Sequence, residues 1–257
     1  MKEYQLTFIV ADVAANARIA QPLRHLVKSF RSVLLLRNIT RDSTVSLAHS
    51  LALMQAGLRC GDFCQITARG IDAELACFVL KDVIADHYIL VGAKINYQFC
   101  DDLATRVPAL AIKPQVAWHY AKAQTELSKI ECLKGLAQLI YPDASDELLL
   151  AFIKREERSP TCVTAGIGLP HVMFAPIERM SIAVISSDTP IDWQSPIGTV
   201  HLAIAIVMPI PSSREAIIAA TNLTRNLLTG QVADRLLMTR RCVELQALMM
   251  HLMSRLL

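Results

Sequence analysis

Residues 161–171 read TCVTAGIGLPH, and no other stretch constrains the chain so tightly. Two glycines at alternate positions permit a close backbone approach that a Cβ would block. Pro170 then sets the chain direction immediately before His171. A Gly-Ile-Gly-Leu-Pro turn between a polar loop and an apolar strand pattern presents one imidazole beside several backbone N–H groups. Such groups hold the oxygens of a phosphoryl group that lands on the ring. The plainer alternative is a structural turn carrying a surface histidine, and the tract alone does not exclude it.

The flanking register adds to the tract. KREER at 154–158 ends a helical pattern ahead of it, and TPIDWQSPIG at 189–198 followed by VHLAIAIV at 200–207 comes after it. In this order the three segments resemble the enzyme IIA family of the bacterial phosphoenolpyruvate:sugar phosphotransferase system, in its fructose/mannitol/nitrogen-regulatory branch. That family carries S-T-G-I-G-x-G-x-A-I-P-H, a preceding R-E-E, and a following K-P-I-x-W/F…G-x-x-V-x-L block. The resemblance covers 114–257 and implies that His171 is the phosphorylated residue. It also implies that Arg155, Thr161, Gly166 and Gly168 bind the phosphate. Arg155 takes that role by its match to the family arginine and by the bidentate fit of guanidinium to phosphate. The hydroxyl of Thr161 either donates to the phosphate or caps the turn. One departure stands out. The family's auxiliary histidine has no counterpart here, because Ala216 or Ile218 occupies the expected place. Arg214 offers charge in that region, and His201 on the preceding strand is a second candidate to approach the site.

The N-terminal part has its own pattern. Residues 4–10 read as a strand. Asn16 reads as an N-cap ahead of a helical stripe of Ile19, Leu23, Leu26, Val27 and Phe30. Strand 33–36, a strand or turn near Thr44 and Val45, helix 47–56 stopped by Gly57, strand 63–68 and helix 72–85 capped by Asp72 complete the order β-α-β-β-α-β-α. With AGLRCG at 56–61 and ARGID at 68–72, this order resembles the histidine-containing phosphocarrier protein HPr over 1–88. The resemblance implies a four-stranded antiparallel sheet covered on one face by three helices. The family's phosphorylated histidine lies in G-L-H-A-R-P. Here residues 14–19 read AANARI, so Asn16 stands in its place and Arg18 remains. An amide is not a phosphoryl acceptor of this kind. The family's regulatory serine position holds His49, with Ser50 beside it.

Residues 89–113, punctuated by Gly92 and Pro108, read as a connector. The second domain, 114–257, then runs helix 128–140, a turn at 141–145, helix 146–155, the histidine tract, strands 181–186 and 200–207, and helices 214–228, 231–238 and 242–256. The last follows the Arg240-Arg241 pair and is apolar on one face. Alternating helix and strand argues for layered α/β architecture with a mixed central sheet. The fold class is therefore α/β, with an α+β first domain built as an open-faced β-sandwich.

Composition bounds the function. At 257 residues and 53% hydrophobic content the chain builds one or two domains with aliphatic cores, and a net charge of +3 gives no footprint for nucleic acid. Apolar runs of about ten residues are too short to span a bilayer. The opening MKEYQL lacks the layout of a secretory leader. The cysteines, 7 in number, are odd and scattered, which argues for reduced thiols. The one close pair, Cys60 and Cys64, leaves a zinc site as a remote alternative. His25, His87, His119 and His251 show no ligand spacing and read as surface residues. No Walker loop, dinucleotide fingerprint or serine triad is present.

The resemblances thus imply a cytoplasmic phosphohistidine phosphotransferase of enzyme IIA type, without cofactor or metal. It would accept a phosphoryl group on His171 from a phosphorylated HPr-type carrier and pass it to a sugar permease component. The alternative is a regulatory protein whose choice of regulated partner is switched by phosphorylation of His171, with the HPr-like domain as docking module. A pseudo-enzyme without phosphoryl flux is a third reading, opposed by intact His171, Pro170 and Arg155.

Overall fold

A computed structural model describes residues 3–12, 14–49, 51–91, 98–228, 230–239 and 241–255. Ser50, Gly92 and Arg240 lie outside the described residues. The chain divides into two compact units, one reaching residue 94 and the other spanning 95–256.

The first unit runs β1 (Glu3–Ile9), α1 (Ala15–Val27), β2 (Val33–Asn38), β3 (Ser43–Ser46), α2 (Ala52–Ala56), β4 (Phe63–Arg69), α3 (Ala73–Ala85) and β5 (Ile89–Leu90). Its antiparallel sheet has the order β3-β2-β4-β1-β5. The register runs Leu6↔Ile66 and Phe8↔Cys64 on one side of β4, and Leu34↔Ala68 and Leu36↔Ile66 on the other. Alternate side chains therefore share one face. Leu6, Phe8, Leu34, Leu36 and Ile66 meet Ile19, Leu23, Leu80 and Ile84 from the helices in one core. Two-residue β5 extends the expected four strands to five, pairing Phe8↔Leu90 and Ile9↔Ile89.

Local readings are corrected at three places. Asn16 is not the N-cap of α1: Ala14 holds that position, and its N–H is taken by Asp12 Oδ1 at 2.9 Å. The helix expected over 47–56 starts only at Ala52, and Leu47 N instead donates to Leu34 O at 2.9 Å, continuing the pairing of 43–46 with β2. It still ends at Gly57, whose φ of +59° is the left-handed conformation that glycine accepts without strain. Asp72 occupies the cap position of α3 but makes no cap bond. Its carboxylate instead accepts from Arg31 N at 2.7 Å, Ser32 N at 2.8 Å and the Ser32 hydroxyl. These donors, the Ser32 hydroxyl foremost, hold the Asp72 carboxyl below the usual carboxylate range.

The second unit opens with α4 (Leu103–Arg106), a 3-10 turn (Pro108–Leu110) and β6 (Val116–Lys122). There follow α5 (Lys129–Ile140), a 3-10 turn (Pro142–Ala144), α6 (Ser145–Glu156), β7 (Cys162–Thr164), β8 (Gly166–Gly168) and β9 (His171–Met173). The chain finishes with β10 (Met180–Ile191), β11 (Val200–Met208), α7 (Arg214–Leu227), α8 (Gly230–Met238) and α9 (Cys242–Ser254). The mixed sheet has the order β6-β10-β11-β8-β7, with β9 also paired to β11. β10 and β11 are antiparallel, while β6 joins β10 and both β8 and β9 join β11 in parallel. Against one face, Cys132, Leu133 and Leu136 of α5 and Leu148 and Phe152 of α6 bury Ala183, Ile185, Ala203 and Ala205. The intervening Ile182, Val184, Leu202 and Ile204 are buried too, which explains the unbroken apolar runs of both strands. Ser128 caps α5 through a full capping box with Glu131, satisfying donors that the helix start leaves open. Helix α9 is buried all round from Cys242 to Met253 rather than on one face. His251 lies inside it and is fully buried, against its surface reading.

Gly70 tests the first unit's packing. A Cβ there would stand 2.4 Å from Ser32 Oγ and 2.7 Å from Ser32 Cα. Gly70→Ala must therefore move backbone as well as the Asp72 bonds to Ser32. It should cost about 1–3 kcal/mol, read as a lowered urea midpoint for the first transition.

Candidate functional site

Helix α6 ends in Lys154 and Arg155, cations placed where the helix dipole favours them. Beyond the short strands β7 and β8, β9 begins at His171, whose register partner on β11 is Ile206. The structure brings Arg155 and His171 together: Arg155 Nη2 lies 3.2 Å from His171 Nε2, and Arg155 Nη1 donates to Ser159 O at 3.1 Å. The other imidazole nitrogen, Nδ1, lies 2.8 Å from Leu169 O. A guanidinium can only donate and a carbonyl can only accept. Both contacts therefore demand the same tautomer, with the proton on Nδ1 and the lone pair on Nε2. His171 is half-buried, on a strand paired to β11.

The remaining tract residues occupy other places. Residues 166–168 form strand β8 and not a turn. Gly166 N donates to Thr199 O at 2.9 Å, so that N–H is already committed to the sheet. Backbone conformation favours glycine at 166, and close contact with an indole favours it at 168. A Cβ on Gly166, at φ +90°, would meet Leu237 Cδ1 at 2.6 Å, and one on Gly168 would meet the Trp193 ring at 3.0 Å. Thr161 is buried, and its N–H (3.1 Å) and hydroxyl both donate to the Glu156 carboxylate. Thr161 O in turn accepts from Leu169 N at 2.8 Å. Glu156 is itself buried and receives Lys129 Nζ at 2.7 Å, while the same ammonium lies 5.6 Å from the centre of the Trp193 ring. Sequence reasoning passed over Glu156 and Lys129. The one available signal was the first acidic position of the R-E-E match, Glu156. Arg158 is exposed beyond the helix end.

His201 does not approach His171. It precedes Ile206 by five positions on β11, roughly 16 Å at ~3.3 Å per residue. Its Nδ1 contacts Ser187 O at 3.2 Å. His119, on the edge strand β6, is half-buried, and burial together with the nearby Arg179 charge lowers its pKa. The Cys60 thiol donates to Ala11 O at 3.1 Å while Cys64 is buried. Among the described residues no group of three or more His, Cys, Asp or Glu side chains could hold a metal ion.

In the first unit, Asn16 is the second residue of α1. Its Nδ2 donates to Leu58 O at 3.2 Å, and its Oδ1 accepts from the Tyr88 hydroxyl. The Tyr88 ring stacks on Phe8 at 5.1 Å, and burial raises its phenol pKa. Arg18 is paired with Asp12 at 3.2 Å. The amide is thus held on both of its polar atoms.

A family model described as phosphoenolpyruvate-dependent sugar phosphotransferase system, EIIA 2, matches residues 121–250. A second, described as PTS HPr component phosphorylation site, matches residues 7–86. Among solved structures the chain is similar to nitrogen regulatory protein IIA-Ntr from Neisseria meningitidis, at 16% identity over 52% of this chain and 92% of that one, with a TM-score of 0.45. It is also similar to a histidine-containing phosphocarrier protein from Mycoplasma, at 22% identity over 35% of this chain and 100% of that one, with a TM-score of 0.32. No curated protein matches the chain.

The Tyr88 contact sets an expectation for restoring a histidine at position 16. The hydroxyl that donates to Asn16 would donate equally to an imidazole nitrogen and occupy its lone pair. In a His171→Ala background, Asn16→His alone should gain no phosphoryl group from phosphoenolpyruvate and enzyme I. Adding Tyr88→Phe should permit detectable acceptance. Labelling of the single Asn16→His variant at the rate of the double variant would refute the block.

Proposed function

The chain belongs to the EIIA 2 family of the phosphoenolpyruvate-dependent sugar phosphotransferase system, and from that premise we propose that His171 accepts a phosphoryl group from a phosphorylated HPr-type carrier and passes it to a sugar permease component. An HPr-like region precedes the EIIA region in the same chain, so the protein's chemistry lies in phosphotransfer within that system. The observation that carries the finer reading is the imidazole held between Leu169 O and Arg155 Nη2.

The arrangement suits nucleophilic attack by Nε2. Its lone pair forms the bond to phosphorus as the carrier's nitrogen–phosphorus bond breaks, and the carrier nitrogen keeps that electron pair. The His171 ring keeps its Nδ1 proton and gains positive character, which the Leu169 carbonyl stabilises. The arriving phosphoryl group displaces Arg155 Nη2 from Nε2. The guanidinium then pairs with the phosphoryl oxygens, an anionic acceptor in place of a neutral one. Onward transfer is the same displacement with an acceptor nucleophile as the attacking group. The reading makes the protein cytoplasmic. No helix among the described residues is long and apolar enough to cross a membrane.

The second reading, a regulatory protein whose partner is chosen by the state of His171, draws on Asn16. A first unit with no acceptor at that position is suited to docking, not to relay. A chase separates the two. Phosphorylated protein mixed with a permease component should lose its label to that component if it relays, and should keep the label while binding a regulated partner differently if it switches.

Incubation with phosphoenolpyruvate, enzyme I and a competent phosphocarrier should add one phosphoryl group, read by intact mass. His171→Ala should abolish the gain, and undiminished labelling of that variant would sink the assignment. Arg155→Ala should slow acceptance on the order of a hundredfold to a thousandfold, as when one anion-stabilising donor is removed. Its melting curve should change little, since a helix-end arginine contributes little to stability.

A further inference from the structure

We infer that Glu156 is a positioning residue for phosphoryl transfer at His171, acting with Lys129 and Thr161 to set the distance between Arg155 and the imidazole. The inference rests on the reading of His171 as acceptor and extends it to side chains that never touch the phosphoryl group.

The argument follows the bonds. The Glu156 carboxylate is buried and accepts from Thr161 N at 3.1 Å, from the Thr161 hydroxyl and from Lys129 Nζ at 2.7 Å. Both charged side chains are enclosed, with relative exposures of 14% for Lys129 and 6% for Glu156. A buried carboxylate is tolerable only when its lone pairs are filled in this way, and losing one partner leaves the others stranded. From this anchor two short paths lead to His171. One goes back a single residue along α6 to Arg155, whose Nη2 reaches Nε2 at 3.2 Å. The other goes through Thr161, whose carbonyl accepts from Leu169 N at 2.8 Å, to Leu169 O, which holds Nδ1 at 2.8 Å. One carboxylate therefore ties the end of α6 to the start of β7, and so ties the guanidinium to the ring it faces. The Lys129 stem adds a third fixed point, its ammonium lying against the Trp193 ring that covers Gly168.

Charge and geometry predict opposite signs for one substitution. A carboxylate beside Arg155 repels an arriving phosphoryl group and competes for positive charge. If that effect dominated, Glu156→Gln would speed acceptance. If Glu156 acts by position, the same change slows it: Oε2 takes Thr161 N and Lys129 Nζ while Oε1 takes the Thr161 hydroxyl, and a carboxamide keeps an acceptor at one of these two sites and leaves the enclosed Lys129 ammonium without its counter-charge.

The test uses the full chain and measures phosphoryl acceptance against carrier concentration. Glu156→Gln and Thr161→Val should each slow acceptance at saturating carrier by about tenfold to a hundredfold, the scale of an ångström-sized misplacement. The half-saturating carrier concentration should not change. Thr161→Ser, which keeps the hydroxyl, should stay near the parent rate, and Lys129→Met should slow in the same direction. In an Arg155→Ala background Glu156→Gln should cost less than in the parent, since one of its two paths passes through the guanidinium. Nitrogen-15 spectra of His171, independent of any transfer, should show one Nδ1–H tautomer in the parent and a mixture in Glu156→Gln. If the parent takes no phosphoryl group, the acceptor reading fails, and the tautomer shift decides the positioning role by itself. An unchanged or faster rate in Glu156→Gln, or its full loss repeated in the Arg155→Ala background, overturns the inference. Should Glu156→Gln fail to fold, the Thr161→Val and Thr161→Ser pair decides, and equal rates in those two overturn it.

Discussion

Strand β8 has almost no side-chain volume at its ends, and the second unit is assembled around that fact. Gly166 admits Leu237 from α8 onto the backbone, and Gly168 admits the Trp193 indole. A methyl group at Gly166 would sit on a φ of +90° that L residues rarely adopt, and one at Gly168 would press on the indole at 3.0 Å. The strand still makes its ladder, parallel to β11 on one edge and antiparallel to β7 on the other. Leu169, Pro170 and His171 leave that ladder in one fixed direction. The imidazole is therefore placed by a rigid, buried strand and not by a loop.

The two units treat their key polar side chains in opposite ways. In the second, the His171 ring is held by Leu169 O while Nε2 meets the Arg155 guanidinium. In the first, Asn16 at the corresponding motif position is tied on both sides, to Leu58 O and the Tyr88 hydroxyl, and Arg18 is tied to Asp12. Hydrogen bonds of this kind each contribute about 1 kcal/mol to a fold. The amide has been absorbed into the stability of the unit, with Tyr88 stacked on Phe8 as its support.

What patterns reveal and what they hide both have physical causes here. The Ile19, Leu23 and Val27 stripe and the β10 and β11 apolar runs are legible because each residue's burial follows from its own period. Edge strand β6 was missed since Val116, Trp118 and Tyr120 are only half-buried, as are the residues between them, so no alternation marks it. The Asn16 cap failed for another reason. Asparagine is favoured at caps when no distant partner competes, and Leu58 and Tyr88 lie 42 and 72 residues away. The glycines of the histidine tract were read as phosphate ligands from their motif. Their steric duty toward Leu237 and Trp193 depends on residues far along the chain.

The sequence by itself determined the family, the two-part order of elements and the motif that ends on His171, because these are carried by local strings and short periods. Tertiary structure alone decided which atoms face that histidine. Arg155 precedes it by 16 positions and could have pointed to solvent, as Arg158 does. Beside it, the buried carboxylate of Glu156 binds Thr161 and Lys129. That is a set of long-range bonds whose partners no local pattern names, and their strength comes from exclusion of water that only the folded chain provides.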